Sequence, residues 1–203
     1  RELQIDGQVP FEEAGRLGLS RIWRNEHDTF ERDGRDNDLR PIQVERPKWL
    51  DDVLTDSEGF YKEPFSFYFT KGKHRLTLVS LREPMIIDRI RLFRKEETPR
   101  YETVAASYEE AGYTPAVNRL VKVQGEDAAF KSNPSLYALN DRSSPATEPY
   151  HVSKIRMNTI GGANWKKPGQ WIVWEVAIPE DGLYELGIKF KQNMTRGINS
   201  VRK

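Results

Sequence analysis

The sequence predicts an all-β chain, an antiparallel β-sandwich with one short helical linker. Residues 169–190, "GQWIVWEVAIPEDGLYELGIKF", alternate apolar and polar side chains on both sides of a Pro/Gly turn. Phe65, Phe67 and Phe69 alternate in the same way, and Leu76 and Leu78 follow after the turn Lys71-Gly72-Lys73-His74. No helical pattern runs beyond about ten residues, so short strands punctuated by Gly and Pro account for most of the chain.

The elements follow in order. Residues 3–5 form the first strand, closed by the turn dipeptide Asp6-Gly7. Residues 11–17, "FEEAGRL", read as one helical turn or two. Residues 24–62 are polar and irregular, a length that usually marks a functional loop or an insertion. Within them, the acid-rich run Asp33-Gly34-Arg35-Asp36-Asn37-Asp38 lacks the spacing of a Ca²⁺ loop and reads as a solvated loop. Strands return at 65–69 and 76–78, and at 85–93, where Ile86, Ile90 and Leu92 share one face with Asp88 among them. "YETVAASYEEAG" at 101–112 has helical character, and a further strand begins at 120–123. In the final hairpin Ile172, Trp174, Val176 and Ile178 share one face, continued by Tyr184, Leu186, Ile188 and Phe190. Trp174 and Tyr184 are expected in the core.

Composition narrows the function classes. Thirty-two basic and 31 acidic side chains leave a net charge of +1, which offers no basic field for nucleic acid. No apolar run reaches the roughly 18 residues of a membrane-spanning helix. There is no cysteine, which excludes disulfides, thiolate metal sites and cysteine nucleophiles. His27, His74 and His151 are far apart with no ligand spacing, and no metal or base role is assigned to them. Asn193-Met194-Thr195 has the form of a glycosylation sequon.

The ends "NSVRK" and "RELQIDG" read as joinable pieces of a repeated domain, so the chain is expected to be a piece of a longer polypeptide. On that basis residues 1–97 are the C-terminal part of one module, 98–118 a linker, and 119–203 the N-terminal part of the next. Alternatively, the two parts pack together as one sandwich.

Three stretches carry a resemblance: "VQGEDAAF" at 123–130, the Trp–turn–Tyr hairpin at 169–190, and "KGKHRLTL…MIIDRIRLF" at 71–93. Together they resemble the landmarks of galactose-binding-like carbohydrate-binding modules. "RPIQVERPKW", "REPM" and "NDRSSPATEPY…NTIGGANWKKPGQW" resemble the tandem modules of large bacterial extracellular solute-binding proteins of sugar ABC transporters. The resemblance implies a jelly-roll sandwich, an extracellular or cell-surface setting, and as partners carbohydrate, the rest of the parent solute-binding protein and its transporter. It also implies a structural calcium, for which Glu126, Asp127 and Asp88 match acidic positions of the pattern while Gln124 replaces a carboxylate. The alternative for these acids is hydrogen bonding to backbone.

Sugar binding needs an aromatic face for the C–H surface of the ring and amides or charges that fix the hydroxyls. The best cluster is Asn158, Asn164 and Trp165 before the hairpin, Trp171 at its start, and Gln192, Asn193 and Arg196 after it. Trp165 lies in a Gly/Asn/Lys loop rather than on an alternating strand, and Trp171 is out of phase with the apolar face. The competing reading is that Trp165 caps the sandwich edge and the amides close backbone turns. A noncatalytic carbohydrate-binding module is therefore expected. A spacer or docking domain and an accessory module of a glycoside hydrolase are the alternatives, and no motif singles out a catalytic carboxylate pair.

Overall fold

The computed structural model describes residues 1–192 except Lys62, Lys95 and Asn118. The described chain is mostly non-helical, with antiparallel sheets and one α-helix. It divides into two compact units: 1–84 with 123–175, and 85–122 with 176–203.

The eight strands among the described residues all belong to the first unit. β1 (Glu2–Ile5) pairs antiparallel with β4 (Leu76–Val79), with Leu3 opposite Leu78 and Ile5 opposite Leu76. A four-stranded sheet runs in the order β3 (Gln43–Glu45), β2 (Trp23–Asn25), β5 (Phe130–Lys131), β8 (Ile172–Val173). β6 (Ala138–Leu139) and β7 (Thr159–Ile160) form a third antiparallel pair. The β-rich character expected from the alternating stretches is therefore present, in strands of two to four residues.

The core explains why β1 and the 11–17 segment sit where they do. Leu3, Ala14 and Leu17 are buried together, with Phe11, Leu54, Phe65, Phe67 and Leu78 packed around them. Glu12–Gly15 is a single 3₁₀ turn whose Ala14 faces inward, and Leu17 N–H donates to Arg1 O at 2.7 Å. Phe11 meets Phe65 edge-on at 4.9 Å and stacks on Phe67 at 5.5 Å, the geometries that aromatic quadrupoles favour. Residues 65–69 do alternate between half-buried and exposed, but they form no ladder. Their order comes from ring packing.

The loop at 31–41 is largely exposed, as the solvated reading expects, but Asp38 is buried and the loop is tied down by arginines. Arg156 reaches Asp36 at 2.7 Å and Asp38 at 3.3 Å, and Arg32 bonds the same two acids. Asp38 is buried, and its second oxygen accepts Met157 N–H at 3.0 Å. Asp33 accepts the N–H groups of Arg35 and Asn37, which curls the loop locally. The Asp36 carboxyl is held below its ordinary value chiefly by its Arg156 hydrogen bond. A charge knot thus binds this loop to the segment leading into β7.

The hairpin at 172–178 and 184–190 is not formed. Ile172 and Val173 pair with Lys131 and Phe130 instead, and the chain from 174 to 178 has no partner strand among the described residues. Across the turn, Leu183 donates to Thr114 O at 2.9 Å and accepts from Ala116 N–H at 3.1 Å. These bonds make a parallel bridge between Leu183 and Pro115 at the start of the second expected strand. Trp174 and Tyr184 are half-buried rather than core. Trp174 Nε1 donates to Gly125 O at 3.0 Å, and Tyr184 Oη donates to Glu180 O at 2.9 Å. No strand forms at 85–93 or 120–123, where nearly every side chain is exposed.

The second unit holds the expected helix, α1 (Tyr101–Glu110). Glu102 in its first turn suits the positive end of the helix dipole. Its end is closed by Gly112 at φ 70, a left-handed position that glycine occupies without strain. Tyr113 N–H returns to Tyr108 O at 3.0 Å as the two rings meet. No helix among the described residues is long and apolar enough to cross a membrane.

Candidate ligand-binding loop

The loop from Gly161 to Trp171 joins β7 to β8 and is built around Trp165. Gly161 adopts φ 102 and ψ −111, open only to glycine, and the 3₁₀ turn Gly162–Asn164 follows. A Cβ at Gly161 would lie 3.1 Å from Trp165 Cε3, so the missing side chain lets the indole lie against the backbone. Trp165 N–H donates to Gly162 O, and Trp165 Nε1 donates to Gln170 O, each at 3.1 Å. Gln170 in turn accepts Lys166 N–H and Lys167 N–H on its side-chain oxygen. The loop is preorganised by its own side chains.

Trp171 leaves the loop on the sheet. Its N–H donates to Ser132 Oγ at 2.9 Å and its carbonyl accepts Ser132 N–H at 3.1 Å, continuing the β5–β8 ladder. Both Trp165 and Trp171 are half-buried. The Trp171 indole N–H and the Asn164 side-chain amide have no hydrogen-bond partner among the described residues. An indole with one free donor and a free amide on the same loop are the groups that a sugar ring uses.

A second loop meets this one. Asp56 is buried, and its carboxylate accepts Glu58 N–H at 2.9 Å, Phe60 N–H at 2.6 Å and Tyr61 N–H at 3.1 Å. These backbone bonds, that from Glu58 foremost, hold its carboxyl below the ordinary value. The turn they enforce puts Gly59 at φ +80 against Pro168 of the Trp165 loop. It leaves Phe60 and Tyr61 79% and 58% exposed. Phe60 also lines a depression with Glu12, Arg16 and Glu58, charged groups able to meet hydroxyls.

The remaining expected residues fall elsewhere. Asn158 is buried and structural: it accepts Asp141 N–H at 2.8 Å and donates to Asp141 O at 3.0 Å and Pro149 O at 2.9 Å. It closes a backbone loop, as the competing reading of the amides holds. Gln192 is exposed in the second unit. Asn193 and Arg196, with the sequon, lie outside the described residues. Of the acids assigned to calcium, Glu126 is buried in the 3₁₀ turn Gly125–Asp127 and Asp127 is exposed beside it. Asp88 belongs to the second unit, exposed and 3.2 Å from Arg89. Among the described residues no group of three or more His, Asp or Glu side chains is placed to hold a metal ion.

Phe60, Tyr61 and Trp49, the last 70% exposed, were not among the residues expected from sequence. A signal for the first two is present. In "TDSEGFYKEP" an aromatic pair directly follows an Asp-x-x-Gly turn inside a polar stretch, where no apolar face calls for it. Trp49 likewise stands outside any alternating run.

No family model, curated protein or solved structure matches the chain.

Proposed function

We propose that the chain is a noncatalytic carbohydrate-binding module whose binding face is the loop from Gly161 to Trp171. The carrying observation is the conformation of that loop, which holds Trp165 and Trp171 half-exposed with an uncommitted indole N–H and the Asn164 amide. Preorganisation lowers the ordering cost of binding, and rings with few rotatable bonds suit it. Phe60 and Tyr61 extend the face on the adjoining turn. The chemistry offered there is ring stacking and hydroxyl recognition, with no transfer of a group.

The wider setting follows the resemblance. The module is read as part of an exported solute-binding protein of a sugar ABC transporter, at the bacterial cell surface, with its short sheets belonging to a jelly-roll sandwich. The four-stranded antiparallel sheet β3-β2-β5-β8 supports that architecture.

The test is a glycan array with the intact protein and Trp165→Ala. Native binding that is lost in the variant, with a melting temperature within a few degrees, is expected. A native protein that binds no glycan overturns the reading. It then favours the second one, a docking domain, for which the exposed apolar residues Ile86, Leu186, Ile188 and Phe190 are the specific observation.

A further inference from the structure

We propose that His74 and Asp6 form a proton-operated clasp at the end of the β1–β4 sheet, shut when the imidazole carries both protons and released when it loses one. Asp6 follows β1 and Arg75 precedes β4, so the two continue the register beyond Ile5 and Leu76. Asp6 N–H donates to Arg75 O at 2.9 Å, and Arg75 N–H donates to Asp6 Oδ1 at 2.8 Å. His74 Nδ1 stands 2.7 Å from Asp6 Oδ2, and His74 Nε2 stands 2.9 Å from Thr70 O. A carboxylate and a carbonyl only accept, so the ring satisfies both of these short contacts at once only as the imidazolium; the Thr70 hydroxyl, 3.4 Å from Nε2, is the longer contact at that nitrogen. Phe69 meets the ring edge-on at 5.3 Å.

The charges around the clasp agree with this geometry. The hydrogen bond the ring donates to Asp6, then that to Thr70, raise the His74 pKa above 6.5, and among the described residues Asp6 is the charged group acting on the ring. Arg75 N–H first, and His74 second, lower the Asp6 pKa below 3.8. Lys71 and Lys73 lie on the turn itself.

The sign follows. His74 is raised on folding, so its contribution is fully present below pH 6.5 and is lost as pH rises through its folded value. Asp6 is lowered, so its contribution is present above pH 3.8 and is lost as pH falls through its folded value. The clasp is shut between those limits.

Above them the ring keeps a single N–H, which serves Asp6 or Thr70 O but not both, so the tie between the turn Thr70-Lys71-Gly72-Lys73 and β1 is weakened. Gly72, at φ 155 with open space around it, offers no packing to replace it. The effector is the proton, and the element it controls is a turn carrying two lysines.

The experiment is an NMR titration of the His74 ring with amide exchange at Arg75, corrected for intrinsic rates, between pH 5 and 9. His74 is expected to titrate above 6.5. Over the same interval the Arg75 amide should lose protection by roughly two- to fivefold, the range of an exposed ion pair. Asp6→Asn should bring the ring's titration down, and His74→Gln should make Arg75 exchange independent of pH. If Asp6→Asn fails to fold, the native titration and His74→Gln suffice. A ring titrating at or below 6.5, or native Arg75 exchange indifferent to pH, overturns the clasp.

Discussion

Gly59 is wedged against Pro168: a methyl at its Cβ position would stand 2.4 Å from Pro168 Cβ and 2.5 Å from Cγ. No side chain fits there, and at φ +80 few would adopt the backbone. The contact ties the Asp56 turn to the Trp165 loop, so the two loops of the proposed binding face are set by one another. Gly59→Ala should therefore destabilise the protein by about 1–3 kcal/mol. Urea unfolding measures this. A variant as stable as the native chain would mean that the loops do not press together.

Asn158→Ala should cost about 1–2 kcal/mol, because it removes the buried amide that makes three part-buried hydrogen bonds to the backbone of the 141–149 loop. The same substitution should leave glycan affinity little changed, which separates a loop-closing amide from a ligand-binding one. Thermal unfolding and a binding titration on one preparation decide it.

Lys131 is fully buried in the central sheet, with its Nζ 2.7 Å from Asn25 Oδ1. Burial pushes its pKa down to about 8 from 10.5. A lowered lysine destabilises the fold where it is charged, so stability should rise with pH from about 8 towards 10.5. The gain is on the order of 3 kcal/mol. Lys131→Met should remove that rise and be neutral or stabilising at pH 7. Denaturant midpoints across this interval check it.

Phe60→Ala and Tyr61→Ala should weaken binding of oligosaccharides by roughly two- to tenfold, the range of one aromatic contact. Binding of a monosaccharide held at Trp165 should change less. Calorimetry with a chain-length series of the best array hit measures the difference. Equal losses for short and long ligands would remove the Asp56 turn from the binding face.

How far the sequence is legible depends on the distance between interacting residues. Alternation located β1 and β4 and the inward rings Phe65 and Phe67, because period 2 is a local property. The helix over Tyr101–Glu110 and its glycine stop were local too. Partner choice was not. Ile172 and Val173 carry the same alternation whether they pair with a hairpin mate or with β5, some forty residues earlier in the chain. Arg156 looks like any surface arginine until Asp36 and Asp38 are brought to it. At the candidate site, the Gly-Gly-Ala-Asn-Trp loop was visible as a loop-borne indole. Its brace, Gln170 O on Trp165 Nε1, depends on backbone geometry that composition does not encode.

The most direct test of the binding face is an NMR titration of the five tryptophan indole N–H signals with the glycan that binds best. Trp171, whose N–H is uncommitted, should shift most, with Trp165 following while its bond to Gln170 O persists. Trp23 and Trp174 should hold still. Shifts confined to the exposed Trp49, or no shift in any indole at saturating ligand, would contradict a binding face on the Gly161–Trp171 loop.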